Sequence, residues 1–278
     1  MDVLVRCVVM LGMLLVVPLG LALVGGDAVD RVRRWWLPAA VAASVALWLP
    51  RGAWAAALAG VYLAVTVALA LCAPVRLVRV SRSAGRAAWP RETAVLTALA
   101  APSVAAVALV AERAGYSLFG FRLEVLALTV AHFHVAGFVA ALVAGLVCRA
   151  AGDGVAARLA ALAVPVGTLV VLAGFFAGEW VELAGAVVLT AGMWVVAWLT
   201  WRQVRPRAAD RVARALLGAG AVTLVATMAL AVSWALGEAA GVPHPSVTWM
   251  AATHGAANAV LFGACAVLAW RRLRVDPL

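Results

Sequence analysis

Nine apolar runs, each close to the length of a bilayer-crossing helix and separated by short polar gaps, leave this chain little choice of fold. They cover roughly residues 3–25, 35–50, 53–73, 92–111, 123–148, 157–175, 179–201, 212–236 and 246–270. A hydrocarbon layer about 30 Å thick takes about 20 apolar residues of helix. In lipid, only a helix or a closed barrel satisfies its own backbone, and continuous runs of this length without alternation are helical. The expected fold class is therefore all-α, a polytopic transmembrane helical bundle of about nine spans. Only 12% of the residues are charged, about half the share of an ordinary soluble domain, and no soluble domain is left over. The chain reads as a single transmembrane domain over 1–278, with four peripheral spans in 1–112 and five site-bearing spans in 113–278. The second run is the shortest, and Leu49-Pro50-Arg51-Gly52 joins it to the third as a tight helical hairpin. The first run is a span rather than a signal peptide, being longer than an h-region and without a small-x-small cleavage site.

All 22 basic residues are arginine, and the net charge is +10. Such a charge could suit nucleic acid, but the arginines lie in the gaps between apolar runs, which excludes that partner and leaves the bilayer. With nine spans, 18 arginines fall on one side, and only Arg6, Arg51, Arg113 and Arg122 on the other. The positive-inside rule then puts the N-terminus outside and the C-terminus in the cytoplasm, across the cell membrane. The longest polar segment, Ala73 to Arg91, is a basic cytoplasmic loop suited to anionic lipid. Trp35, Trp36, Trp48, Trp54 and Trp249 read as interface anchors. Cys7, Cys72, Cys148 and Cys265 have no C-x-x-C spacing, so neither a disulfide framework nor a thiolate metal site is indicated. No phosphate-binding loop, zinc-protease helix or serine nucleophile elbow is present in the sequence.

Three of the four histidines lie inside apolar runs. His132-Phe133-His134 occupies the fifth, and His254, followed by Gly255 and Asn258, the ninth. Counting 1.5 Å per residue from the closing arginine, His132 and His254 each stand 17 residues, about 25 Å, above the inner boundary. Glu182 stands 20 residues above Arg202 and shares a helix face with Glu179. Ionisable groups inside spans usually face an interior or a wet cavity. The expectation is one outward-opening pocket with His132, His134, Glu182 and His254 as reactive groups, and Asn258, Glu179 and Glu124 contacting an unidentified small molecule. His132 and His134 point about 200° apart on a regular helix, so both cannot ligate one metal without a local distortion. One of the pair is suited to the pocket and the other to a hydrogen bond across to a neighbouring helix. His254 and Asn258, at i and i+4, share a face.

The set His132-Phe133-His134-x-Ala136-Gly137-Phe138, Gly178-Glu179 to Glu182, and Thr253-His254-Gly255-x-x-Asn258-Ala259 resembles the bacterial YndJ-like membrane protein family over roughly residues 115 to 272. The first four spans match it in hydropathy alone, and Leu261-Phe262 stands where the family pattern has Gly-Phe. The resemblance implies a polytopic membrane protein and brings no settled biochemistry. His-Phe-His also occurs in the haem-binding helix of haem-copper oxidases, but those need several more histidines, and only His254 is available here.

Three functions compete. In a membrane-embedded enzyme or metal-site protein, His132, His254 and Glu182 hold one transition-metal ion, or a histidine binds a haem, or His and Glu act as acid and base. In a proton-coupled carrier, Glu182 and a histidine exchange the proton. In a structural or accessory subunit, the polar groups specify helix packing.

Overall fold

The computed structural model describes residues 2–83, 85, 88–152, 154–273 and 278. Among them are nine long helices and no strand. They are α1 (Val3–Val24), α2 (Asp27–Trp48), α3 (Ala53–Arg82), α4 (Trp89–Ala114), α5 (Leu123–Ala150), α6 (Val155–Ala177), α7 (Glu179–Arg207), α8 (Arg211–Ala240) and α9 (Val247–Arg272). Eight are long and apolar enough to cross a membrane, and α2 is the exception. Its first turns carry Asp27, Asp30, Arg31, Arg33 and Arg34, so helix extends eight residues ahead of the apolar run read from the sequence. The segment expected as a basic loop after the third run is also helical through Arg82. A turn at Leu71 divides α3, so Pro74 falls in the first turn of the segment that restarts at Cys72, where proline is tolerated, and Gly85 is the next strong helix breaker.

The described residues fall into two compact units, the first drawn from Met1–Arg82, Leu96–Val139 and Asp276–Leu278, the second from Ser83–Val95 and Ala140–Val275. In the first unit α2 and α3 pack as the expected hairpin. Gly52, at φ 150°, makes the turn and its N–H donates to Arg113 O at 2.8 Å. Beside that turn lies an ion cluster around the buried Glu112. Arg51 donates twice to Glu112 Oε1, at 3.0 and 2.9 Å, and Arg113 holds both carboxylate oxygens. The remaining Arg113 nitrogen reaches Ala46, Leu47 and Leu49 O, carbonyls at the end of α2 that have no intrahelical partner.

In the second unit α6 and α7 run antiparallel through a turn at Gly178, φ 118°. Glycines seven residues apart on each helix, Gly167 and Gly174 against Gly185 and Gly192, bring the two backbones together. A Cβ on Gly167 would stand 2.6 Å from Leu189 N, and one on Gly185 would collide with Val171 N. Lipid gives helices no hydrophobic reason to associate, so this close van der Waals approach is what holds the pair. At the other end of α7, Asp210 caps α8 by accepting from Val212 and Ala213 N–H, at 2.8 and 3.3 Å, and from Arg272 Nε at 2.7 Å. The Arg272 bond is the main reason that the Asp210 carboxyl titrates below its ordinary range.

Two outcomes follow. Gly185→Val should lower stability by about 1–3 kcal/mol or more by overpacking against backbone, whereas Gly60→Ala, inside a helix with open space beside it, should leave the melting temperature unchanged or raise it; thermal unfolding in detergent compares them. Because the folded pKa of Asp210 is depressed, its stabilisation is present above the unfolded value and is lost as pH falls through the folded one. The stability gap between wild type and Asp210→Asn should be constant at neutral pH and close below the reference value of 3.8.

Candidate functional site

The histidine-bearing stretches share a backbone feature that the sequence pattern did not reveal. Residues Phe133–Val139 of α5, and Ala251–Gly255 and Asn258–Ala264 of α9, are π-helical. One-turn π segments interrupt the i→i−4 ladder and are frequent at functional sites. They also supply the local distortion that a straight helix lacks, and the two histidines of His-Phe-His meet different fates.

In the first unit, His134 is fully buried, and both of its ring nitrogens are engaged. Nδ1 lies 2.7 Å from Val130 O, an acceptor only, so Nδ1 carries the hydrogen and Tyr62 OH donates to Nε2, also at 2.7 Å. Trp36 packs edge-on against Tyr62 with ring centroids 5.3 Å apart and donates from Nε1 to Met13 O at 2.8 Å. Gly12 lies against the His134 side chain, where a Cβ would come within 2.9 Å. Four helices thus meet around His134 with their polar atoms paired. Trp36, expected at the interface, is instead completely buried against Tyr62 and Met13, next to exposed Trp35. Within α5, His132 is exposed with its ring against Phe133, and Glu124 is exposed in the first turn.

In the second unit, His254 is half-buried and its Nδ1–H donates to Thr227 O on α8 at 2.7 Å. The Asn258 amide nitrogen lies 3.4 and 3.3 Å from the two ring nitrogens, and so against the ring rather than in line with one lone pair. The anchored Nδ1–H makes Nε2 the basic nitrogen. Thr227 Oγ1 stands 2.8 Å from both Asn258 Oδ1 and Thr223 O, and its one hydrogen can serve only one of them. Thr227 was not singled out in the sequence because one threonine in an apolar run has no distinctive pattern.

Glu182 does not join His254. Thr190 Oγ1 donates to Met228 O, the residue after Thr227, so His254 is level with Thr190, eight residues or about 12 Å from Glu182 along α7. The depth count failed because it took Arg202 as the end of its helix, whereas α7 continues through Arg207. Glu182, half-buried where α7 passes Gly174, lies instead within electrostatic reach of Glu238 and exposed Glu179. Glu238 pairs with His244 Nε2 at 3.2 Å, and His244 folds over Gly237. Neither Glu238 nor His244 stood out in the sequence, since each lies beside a gap.

Among the described residues no three His, Cys, Asp or Glu side chains gather to hold a metal ion. The proposed ligands His254 and Glu182 are two turns apart, and His134 has no ring nitrogen left for a metal or haem. The described residues do not fit the expected metal set.

With eight helices able to cross a bilayer and no strand among the described residues, this is a multi-pass membrane protein. The sequence model of the YndJ-like protein family matches residues 7–262, and the chain belongs to that family. The match takes in the first four helices, beyond the stretch carried by the His, Glu and Asn motifs. No curated protein and no solved structure matches the chain.

Tyr62→Phe leaves His134 Nε2 buried without its donor and should cost about 1–3 kcal/mol, read as a lower thermal midpoint in detergent. An unchanged midpoint would mean that Tyr62 is not the partner.

Proposed function

We propose that this YndJ-like protein is a membrane-embedded enzyme whose acid/base centre is His254, acting on a small polar molecule. The observation that carries this is the anchored ring: a backbone carbonyl holds Nδ1–H, Asn258 backs the ring, and Nε2 is left to take a proton. A general base needs a fixed tautomer and orientation before it needs a partner charge. Asn258 and Thr227 are positioning residues, with the Thr227 hydroxyl choosing between two acceptors as the amide turns. Metal chemistry has no comparable support, since the carboxylate expected to complete a ligand set lies two turns away.

A proton-coupled carrier is the second reading, and one observation favours it. Glu238 lies eleven residues, about 16 Å, along α8 from the carbonyl that anchors His254. A carboxylate cluster at a helix end and a basic ring halfway along suit a proton relay. In either reading we place the N-terminus outside and the chain in the cell membrane, on the support of the 18-to-4 arginine asymmetry.

The test is histidine-selective 15N NMR of the detergent-purified protein, with His254→Gln to assign the signal. The expected result is a neutral Nδ1–H tautomer at about pH 8 that takes a proton reversibly on acidification, with Asn258→Ala altering its midpoint. A His254 ring that stays neutral until the protein unfolds would overturn the acid/base reading. If the ring titrates, proteoliposomes under a pH gradient separate the two versions: proton flux lost in His254→Gln makes the protein a carrier.

A further inference from the structure

The second unit is electrically two-ended. At one end of α7 and α8 lie Glu179, Glu182 and Glu238. At the other lie Arg202, Arg205 and Arg207 at the end of α7, Arg211 and Arg214 at the start of α8, and Arg271 and Arg272 at the end of α9. One described acid, Asp210, stands among those seven arginines, and its carboxylate is taken up by Arg272 and the α8 cap.

The other arginines are not neutralised by one another's partners. Arg205 lies over the Trp201 ring at 4.2 Å and donates to Arg214 O; Arg207 donates to Ala150 O at 2.9 Å; Arg214 donates to Ala208 O at 2.7 Å. Every one of these contacts is to an aromatic face or a neutral carbonyl, so the positive charge stays in place while the backbone that carries it is pinned. Arg202, Arg211 and Arg271 are exposed on this framework. Exposed Trp201 adjoins Arg202 and exposed Val212 adjoins Arg211.

We propose that this end of the second unit is a binding surface for anionic phospholipid headgroups, with Arg202, Arg211 and Arg271 on the phosphates and Trp201 and Val212 at the level of the first acyl carbons. Charge complementarity selects the occupant: a pinned arginine surface with one acid among its described residues, beside apolar anchors at the end of helices that cross a bilayer, fits a lipid phosphodiester. Guanidinium takes phosphate bidentately, and tryptophan sits where hydrocarbon meets headgroup. The surface is independent of His254 and stands whether or not that ring is a base.

The experiment is a thermal-shift titration of the full chain in neutral detergent with phosphatidylglycerol, phosphatidylcholine or inorganic phosphate, paired with native mass spectrometry of retained lipid. Phosphatidylglycerol should raise the midpoint and be retained, and phosphatidylcholine and phosphate should do neither. The triple variant Arg202→Gln, Arg211→Gln, Arg271→Gln should retain phosphatidylglycerol on the order of 100-fold more weakly, at about 1 kcal/mol per charge. The matching triple Arg→Lys variant should keep most of the effect, which separates lost charge from a damaged fold. Equal shifts with phosphatidylcholine, a full shift with phosphate alone, or an undiminished shift in the Arg→Gln variant would each overturn the proposal.

Discussion

Inside a bilayer a peptide carbonyl or N–H without a partner costs several kcal/mol, and the polar side chains of this protein are placed largely by that constraint. Arg113 reaches three carbonyls at the end of α2 while it neutralises Glu112, so one guanidinium finishes a helix and compensates a buried charge. Trp36 reaches Met13 O, within the π segment Gly12–Val16 of α1. His134 and His254 each give Nδ1–H to a backbone carbonyl. The difference between the two histidines lies at the other nitrogen. Tyr62 occupies it in His134, which makes that ring a structural element; in His254 the Asn258 amide nitrogen lies 3.3 Å from it, against the ring.

Close approach of backbones is the second constraint. The heptad-spaced glycines of α6 and α7 bring Glu182 against Gly174, and the site chemistry of α7 follows from that contact. With its helix fixed there, Glu182 lies within electrostatic reach of the Glu238 carboxylate at the end of α8. A helix pair held by side chains would have tolerated a shift of one turn; a pair held by glycine does not.

Much of the fold was legible because its determinants are coarse. Run length gave the helices, a four-residue gap gave the α2–α3 hairpin, and Arg51 and Arg113, assigned to one side by counting, meet at Glu112. The site was legible only in part. His134, His254 and Asn258 announce themselves as polar groups in apolar runs. Their partners Tyr62 and Thr227 do not, because residues that sit comfortably in membrane helices carry no warning. Depth was misjudged for Glu182 because an arginine can snorkel from well inside a helix, so the first arginine of a cluster is a poor ruler. Trp36 was misplaced because a tryptophan beside a charged turn has the same local pattern whether it faces lipid headgroups or the protein interior.

His254 is anchored near the middle of α8, sixteen residues from Arg211 and thirteen from Ala240. A charge carried across a whole membrane gains or loses about 2.3 kcal/mol per 100 mV, so one carried to the middle feels about half of that. For the acid/base role proposed for His254, occupancy of that ring by a proton would therefore depend on voltage as well as on acidity, and the energised state of the membrane would enter that chemistry through the depth of the ring alone.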